Sequence, residues 1–167
     1  MKTLCSTADL TDVQRDILAT VRRFVDEQIL PVATDLEHAD EYPTQIVEQM
    51  KQMGLFGLTI DERYGGVGES LLTYALVVEE ISRGWMSVSG ILNTHFIVAY
   101  LLARHGTDEQ KRKYLPRLAT GELTGAFSMS EPGLGSDVAA ITTTATPTGD
   151  GAYSITGQKM WLTNGGT

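Results

Sequence analysis

Residues 126–137 form the stretch of the chain best suited to bind a small ligand. They read A-F-S-M-S-E-P-G-L-G-S-D, and apolar and hydroxyl side chains alternate from Ala126 to Ser130. Because successive side chains of a strand point to opposite faces, this alternation predicts a strand that packs one face and turns Ser128 and Ser130 towards something polar. Pro132 has no N–H to donate to a ladder, so the strand should end there.

The turn after this strand contains Gly133 and Gly135, which permit backbone conformations closed to other residues. Such a turn can aim several backbone N–H groups into one spot beside the hydroxyl of Ser136. That arrangement would suit a phosphate or the carbonyl edge of a flat heterocycle. The spacing is not that of a Walker phosphate loop. Taken alone, such a stretch is more often an ordinary junction between a strand and a turn.

A second stretch, residues 157–164, reads G-Q-K-M-W-L-T-N. Side chains at i and i+2 share one face of a strand, so Trp161 and Thr163 are predicted to lie side by side. The flat indole could pack against a ring system next to the threonine hydroxyl. Between the two stretches, a P-T-G-D-G sequence separates segments 141–146 and 153–156, which predicts a β-hairpin.

The motifs S-E-P-x-x-G-S-D and G-x-K-x-W-[IL]-T-N, in this order and separated by a hairpin, resemble the acyl-CoA dehydrogenase family. The resemblance covers nearly the whole chain and implies an α+β fold. Residues 1–122 would form an all-helical N-terminal domain, and residues 123–167 would begin an antiparallel, barrel-like β domain that is incomplete here. The family's C-terminal helical bundle would be absent. A hairpin with one further strand is a poor sheet, which also indicates an interrupted domain.

The resemblance implies that the protein binds FAD and an acyl-CoA. The positions that match the family's flavin-contacting motifs are Phe127, Met129, Ser130, Trp161, Leu162 and Thr163. Ser136 matches a residue near the pyrophosphate of the flavin or of the acyl-CoA. The helix that carries Ser89, Leu92, Asn93 and Phe96 corresponds to one wall of the family's acyl pocket.

The implied chemistry is α,β-dehydrogenation of a thioester, in which a base removes the α-proton while the β-hydrogen leaves as hydride to flavin N5. The family's base is a glutamate of the C-terminal bundle, and no residue of this chain matches it. Glu131 is structural in the family motif. We therefore expect no catalytic residue within the 167 residues and no activity from this piece alone. An electron-transferring flavoprotein is the expected acceptor, and a homo-oligomer, tetramer or dimer, is expected at full length.

Other interpretations remain open. An acyl-CoA oxidase or a flavin monooxygenase would share the same fold and the same motifs. A third interpretation, a non-catalytic helical interaction protein, gains weight only if the gene product ends at Thr167.

The chain upstream of these motifs predicts helices. T-x-x-Q capping boxes at Thr11 and Thr107 and a start at Ser70 mark helix beginnings, and residues 87–104 form a further helical stretch. His95 interrupts an apolar run of that stretch, so it is expected to be a hydrogen-bonded structural histidine rather than a catalyst. No second histidine or cysteine lies nearby in sequence, so we predict no metal site.

Residues 55–68 are rich in glycine and predict a loop between helices. A nucleotide-binding loop at their Y-G-G-V-G sequence is the alternative, but a strand before it and a dinucleotide-type helix after it are missing. The family has a similar P-E-x-Y-G-G-x-G connection between two helices. This chain has Ile60-Asp61-Glu62 where the family usually has a proline before the glutamate, so the entry to the loop is expected to differ.

Composition limits the function classes further. The net charge of −8 argues against sequence-independent binding of nucleic acids. Cys5 is the single cysteine, so no internal disulfide can form, and a cytoplasmic location is the simpler expectation. The first residues lack the apolar core of a signal peptide. The longest apolar run, Phe96–Ala103, is too short to span a bilayer.

Overall fold

In the computed structural model, which describes residues 10–166, helices are followed by a two-stranded hairpin. Cys5 lies outside the described residues. The α-helices of the described part are α1 (Asp12–Phe24), α2 (Ala33–His38), α3 (Thr44–Gln52), α4 (Leu71–Gly84), α5 (Met86–His105) and α6 (Asp108–Ala119). The strands are β1 (Thr144–Pro147) and β2 (Tyr153–Thr156). The predicted α+β order, helices first and antiparallel strands second, is confirmed.

The helices begin at the predicted caps. The Thr11 hydroxyl accepts from the Gln14 N–H at 3.2 Å, and the Gln14 side chain accepts from the Thr11 N–H at 3.0 Å. Thr107 forms the same reciprocal pair at the start of α6. Ser70 caps α4 by accepting from the N–H of Thr73. Each cap satisfies backbone donors that the first turn of a helix leaves without a partner.

After α1 the chain continues as a π-helical turn, Val25–Ile29, which packs against the end of α4. A β-carbon on Gly84 would lie 2.7 Å from the Val25 side chain and 3.1 Å from that of Ile29. Glycine at position 84 therefore lets the two backbones approach closely. The π turn widens the helix at the point where both Val25 and Ile29 become fully buried.

Helix α5 runs through the core between α4 and α6. By length and composition this 20-residue helix, with a mean hydropathy of 1.5, would be able to cross a membrane, and it is the one such helix among the described residues. The core helix of a soluble protein passes the same test. Val88, Leu92 and Phe96 are buried in the helical core, which accounts for the apolar composition.

The predicted loop 55–68 is shorter and better packed than expected, because Leu55–Gly57 and Glu62–Tyr64 form single turns of 3₁₀ helix. Its amides are used within the loop: the N–H groups of Val67 and Gly68 donate to carbonyls of Gly57 and Ile60 at 2.9 Å. A nucleotide-binding loop would need such amides to face a ligand, so the structure does not support that alternative.

The hairpin is confirmed, with Thr144 opposite Thr156 and Pro147 opposite Tyr153. The prediction of strands at residues 126–130 and 157–164 is wrong. Residues 126–130 receive a backbone hydrogen bond from Met160 N–H to the Ser130 carbonyl at 3.0 Å, but no repeated ladder forms along them in the described chain. In the second stretch Trp161 and Asn164 have left-handed φ values of 59° and 64°, which turn the chain out of an extended path.

Candidate functional site

The two sequence motifs meet at one buried carboxylate, that of Glu131. The Lys159 ammonium lies 2.9 Å from the Glu131 carboxylate and 3.1 Å from the Met129 carbonyl. The backbone hydrogen bond from Met160 to Ser130 runs beside this ion pair. The S-E-P segment and the G-x-K segment are therefore held together by side-chain and backbone contacts at neighbouring positions.

Glu131 also binds the residues that lead into the hairpin. Its two carboxylate oxygens each accept from one threonine, with N–H contacts of 2.9 Å and hydroxyl contacts of 2.6 Å to Thr142 and Thr143. Hydrogen bonds from Thr142, then Thr143, and then Lys159 hold the pKa of Glu131 well below its usual range. A carboxylate engaged in this way is a structural anchor and a poor proton acceptor.

The turn at residues 133–137 differs from the expectation. Neither Gly133 nor Gly135 lies among the glycines with positive φ, so the expectation that this turn uses conformations closed to other residues is wrong. A β-carbon at either glycine would meet no atom within 4 Å. Ser136 is exposed in the same turn. Within the described residues, the turn therefore presents an open surface.

The candidate flavin-contacting side chains form an exposed apolar surface around the junction of the two motifs. Phe127, Met129 and Leu162 are each about 40% exposed, and Trp161 is 84% exposed. The Ser128 hydroxyl is buried and has no hydrogen-bond partner within the described residues. The exposed apolar surface fits a flat ring system such as a flavin.

Trp161 and Thr163 do not share a strand face as predicted, because the left-handed φ of Trp161 breaks the alternation. Thr163 instead lies in an exposed turn beside the start of α5. Together with Asn164, Trp85, Ser87 and Ile91 it lines a groove of about 420 Å³. Thr163 is thus exposed at this groove.

Gly125, the residue before the stretch 126–137, is hydrogen-bonded to His95 of the helical domain. The buried His95 ring receives the Gly125 N–H at Nδ1, 3.1 Å away, and its Nε2 lies 3.1 Å from the Phe56 carbonyl. Because a carbonyl only accepts, Nε2 carries the proton and the imidazole is neutral. Burial lowers the pKa of His95 to about 4, which agrees with that tautomer. The expectation of a hydrogen-bonded structural histidine is confirmed.

The predicted acyl-wall residues do not all face one space. Asn93 and Phe96 line a largely apolar cleft of about 290 Å³ between α4 and α5, where the Tyr74 hydroxyl donates to the Asn93 amide oxygen. Ser89 and Leu92 are buried in the helical packing, and the Ser89 hydroxyl donates to the Met86 carbonyl. The cleft and the groove at Thr163 share no lining residue, so an acyl-pocket role for this helix face stays a prediction.

Sequence reasoning missed the residues that hold the site together: Gly125, Thr142, Thr143, Lys159 and Asn164. Lys159 is part of the G-x-K motif, but a lysine in a sequence does not by itself indicate a partner. No spacing rule connects it to a glutamate 28 positions earlier. Thr142 and Thr143 lie in the segment 141–146 that is predicted as part of the hairpin, but strand β1 begins only at Thr144.

Comparison with known proteins gives the family. Residues 11–122 match the family described as "Acyl-CoA dehydrogenase, N-terminal domain". The chain belongs to the acyl-CoA dehydrogenase family. It is 38% identical over 159 residues to the short-chain-specific acyl-CoA dehydrogenase of Clostridium acetobutylicum, an alignment that covers 95% of this chain and 42% of that relative.

Solved structures of acyl-CoA dehydrogenases have the same fold over this region. The butyryl-CoA dehydrogenase of Megasphaera elsdenii has a TM-score of 0.89 and 33% identity, covering 96% of this chain and 43% of that one. A glutaryl-CoA dehydrogenase of Mycobacterium smegmatis, in complex with FADH2, has a TM-score of 0.85 and 31% identity, covering 93% and 40%. The chain thus spans about two fifths of the length of these acyl-CoA dehydrogenases.

Proposed function

We propose that this chain forms the flavin-binding part of an enzyme that dehydrogenates acyl-CoA thioesters at the α,β positions. The observation that carries the proposal is the Glu131–Lys159 ion pair, which joins the two motifs at 2.9 Å. It does so beside an exposed set of Phe127, Met129 and Trp161 side chains. Membership of the acyl-CoA dehydrogenase family supports the reaction class.

FAD is the proposed cofactor, and it would supply the acceptor for the hydride that leaves the substrate. Phe127, Met129, Ser130, Leu162 and Trp161 are the residues proposed to hold its ring system. A related dehydrogenase of Mycobacterium smegmatis is described in complex with FADH2. The role of this chain is to bind and orient the ring and to exclude water from its face.

Thr163 is proposed to hydrogen-bond the flavin at N5, and Ser136 to contact a pyrophosphate. The Thr163 hydroxyl can donate to an acceptor and accept from a donor, so it suits a group that changes from one to the other on reduction. Both side chains are exposed in the structure, as these roles require.

The substrate is proposed to be an acyl-CoA, with the apolar cleft at Asn93 and Phe96 as the candidate space for its acyl chain. Glu131 is occupied by Thr142, Thr143 and Lys159, so we propose that the base that removes the α-proton lies outside residues 10–166. An electron-transferring flavoprotein is the proposed acceptor, and a homo-oligomer the proposed assembly.

A chimera tests the proposal. Residues 1–167 replace the matching segment of the short-chain enzyme of Clostridium acetobutylicum, which supplies the rest of the length. We expect the chimera to purify with FAD and to show reduction of that flavin by a short-chain acyl-CoA. The 167-residue chain alone should give no thioester-dependent turnover with FAD and an artificial acceptor.

Two outcomes would contradict the proposal. A folded chimera without affinity for FAD would exclude a flavin site formed by these residues. Rapid oxidation of the reduced chimera by oxygen, at the expense of the artificial acceptor, would favour the oxidase or monooxygenase alternatives.

A further inference from the structure

We propose that Asn164 is the positioning residue that fixes the Thr163 turn onto the helical domain, by a side-chain amide clamp on Gly125 and on helix α5. The inference rests on the proposed flavin site. Asn164 is proposed to contact neither the flavin nor the substrate. It positions Thr163, the preceding residue, through the backbone of the turn that contains both.

The clamp is formed by the side-chain nitrogen of Asn164. This nitrogen lies 2.9 Å from the Ile91 carbonyl of α5 and 3.0 Å from the Gly125 carbonyl, so its two hydrogens serve two segments that are 73 and 39 positions away in sequence. The backbone of Asn164 has φ 64°, a left-handed conformation that asparagine adopts more readily than most residues. Asparagine therefore suits both the left-handed backbone conformation and the two side-chain hydrogen bonds.

Both the backbone N–H and the backbone carbonyl of Gly125 are hydrogen-bonded. His95 accepts its N–H at 3.1 Å, and Asn164 donates to its carbonyl. A β-carbon at this position would lie 2.7 Å from Val98 of α5, so only glycine lets the chain approach the helix this closely. Gly125 is buried as a result, at the point where the chain leaves the helices and enters residues 126–137.

The consequence is a continuous hydrogen-bonded connection from the helical core to the groove at Thr163. Phe56, His95, Gly125 and Asn164 form consecutive hydrogen bonds, and Thr163 is the residue next to the last of them. Without the clamp, the exposed turn at 161–165 would lose its two hydrogen bonds to Gly125 and α5, and the Thr163 hydroxyl would sample several positions. The side chain of Asn164 thus sets where the hydroxyl of Thr163 lies relative to α5.

Two variants separate the side chain from the backbone conformation. Asn164→Asp keeps the size but replaces two donors by an acceptor that faces two carbonyls. Asn164→Gly keeps the left-handed backbone and removes the side chain. Gln158→Glu, an exposed amide-to-carboxylate change in the same stretch, is the matched control. Helical ellipticity shows that each variant is folded.

The first measurement needs no flavin: amide hydrogen exchange of Gly125 in the full 167-residue chain. We expect roughly tenfold faster exchange in both Asn164 variants and no change in the control, because one of the two bonds that hold Gly125 is lost. Unchanged exchange in the Asn164→Gly chain would overturn the clamp.

The second measurement is the dissociation constant for FAD in the chimera, with an expected rise of roughly tenfold for Asn164→Asp and Asn164→Gly. Faster exchange with unaltered FAD affinity would show that the clamp does not position the cofactor site, and would overturn the proposal. A wild-type chimera that binds no FAD would refute the proposed function, and with it the positioning role, while the exchange data would still report the clamp itself.

Discussion

The buried imidazole of His95 accepts the backbone N–H of Gly125 at 3.1 Å. The same ring donates to the Phe56 carbonyl, so both nitrogens are engaged by backbone. A histidine in the middle of an apolar helix thus connects the loop after α3 with the segment that leads into residues 126–137.

Protonation of His95 should destabilise the fold. Its pKa is lowered from an ordinary 6.5 to about 4, chiefly by burial, so the unfolded chain binds more protons than the folded one between these pH values. The stability that the neutral ring contributes is complete above pH 6.5 and is lost as pH falls towards 4. The integrated loss is about 3 kcal/mol.

The His95→Gln chain checks this prediction, because glutamine has a donor and an acceptor but does not titrate in this range. Denaturant unfolding of both chains between pH 7.5 and 4 should show a steeper fall for the parent. Exposed His38→Gln is the control and should keep the parent slope. If the unfolding free energies of the parent and of His95→Gln fall in parallel as the pH is lowered, the prediction that protonation of His95 destabilises the fold is refuted.

Glu80 is a buried carboxylate of the helical domain, and its substitution should lower the free energy of unfolding. It is 4% exposed, and it pairs with Arg22 of α1 and with Arg83, whose Nε lies 3.1 Å away. Burial would raise the pKa of Glu80, but hydrogen bonds from Arg22 and Arg83 outweigh it and lower the pKa. Glu80→Gln should cost about 1–3 kcal/mol of unfolding free energy, measured by urea denaturation.

Asp26→Asn is the matched control for Glu80→Gln. Asp26 pairs with Arg83 at 2.7 Å, but its side chain is 50% exposed. Its loss should cost less than about 1 kcal/mol. Equal costs for the two substitutions would mean that burial of Glu80 does not decide its contribution.

Gly66 should not tolerate a methyl group, unlike Gly90. A β-carbon on Gly66 would lie 1.9 Å from the Ile60 carbonyl oxygen, whereas one on Gly90 of α5 would meet nothing within 4 Å. Gly66→Ala should therefore destabilise the chain by about 1–3 kcal/mol, and Gly90→Ala should stabilise it by about 0.5–1 kcal/mol. Thermal unfolding of the two variants measures both; a neutral Gly66→Ala would show that the loop can move away from Ile60.

Lys159 should support the cofactor site without touching the cofactor. Its ammonium joins Glu131 to the Met129 carbonyl, so Lys159→Met leaves a buried carboxylate without its cation. We expect a roughly tenfold rise in the dissociation constant for FAD in the chimera. Lys113→Met, at an exposed position of α6, should leave the constant unchanged. An equal effect of both variants would point to net charge instead of the Glu131 contact.

The helices could be predicted because their signals are local. The capping boxes at Thr11 and Thr107 and the Ser70 cap lie within four residues of the groups they bind. The site could be predicted only as two motifs. Glu131 and Lys159 meet across 28 positions, and Asn164 reaches a helix 73 positions earlier, so neither contact has a spacing signature.

The strand predictions at the two motifs failed for a physical reason. Alternation indicates a strand only where a partner supplies a ladder, and Trp161 and Asn164 take left-handed conformations that no alternation rule anticipates. The hairpin could be predicted, since its turn contains Gly149 and Gly151, both at positive φ.

The rate of flavin reduction in Thr163 variants of the chimera tests the central claim most directly. Thr163→Val keeps the shape of the side chain and removes the hydroxyl, and Thr163→Ser keeps the hydroxyl. After rapid mixing with a short-chain acyl-CoA, the valine variant should reduce its flavin roughly tenfold more slowly than the parent, and the serine variant should stay close to it. If the valine variant binds FAD normally and is reduced as fast as the parent, Thr163 does not contact the reacting flavin and the account is wrong.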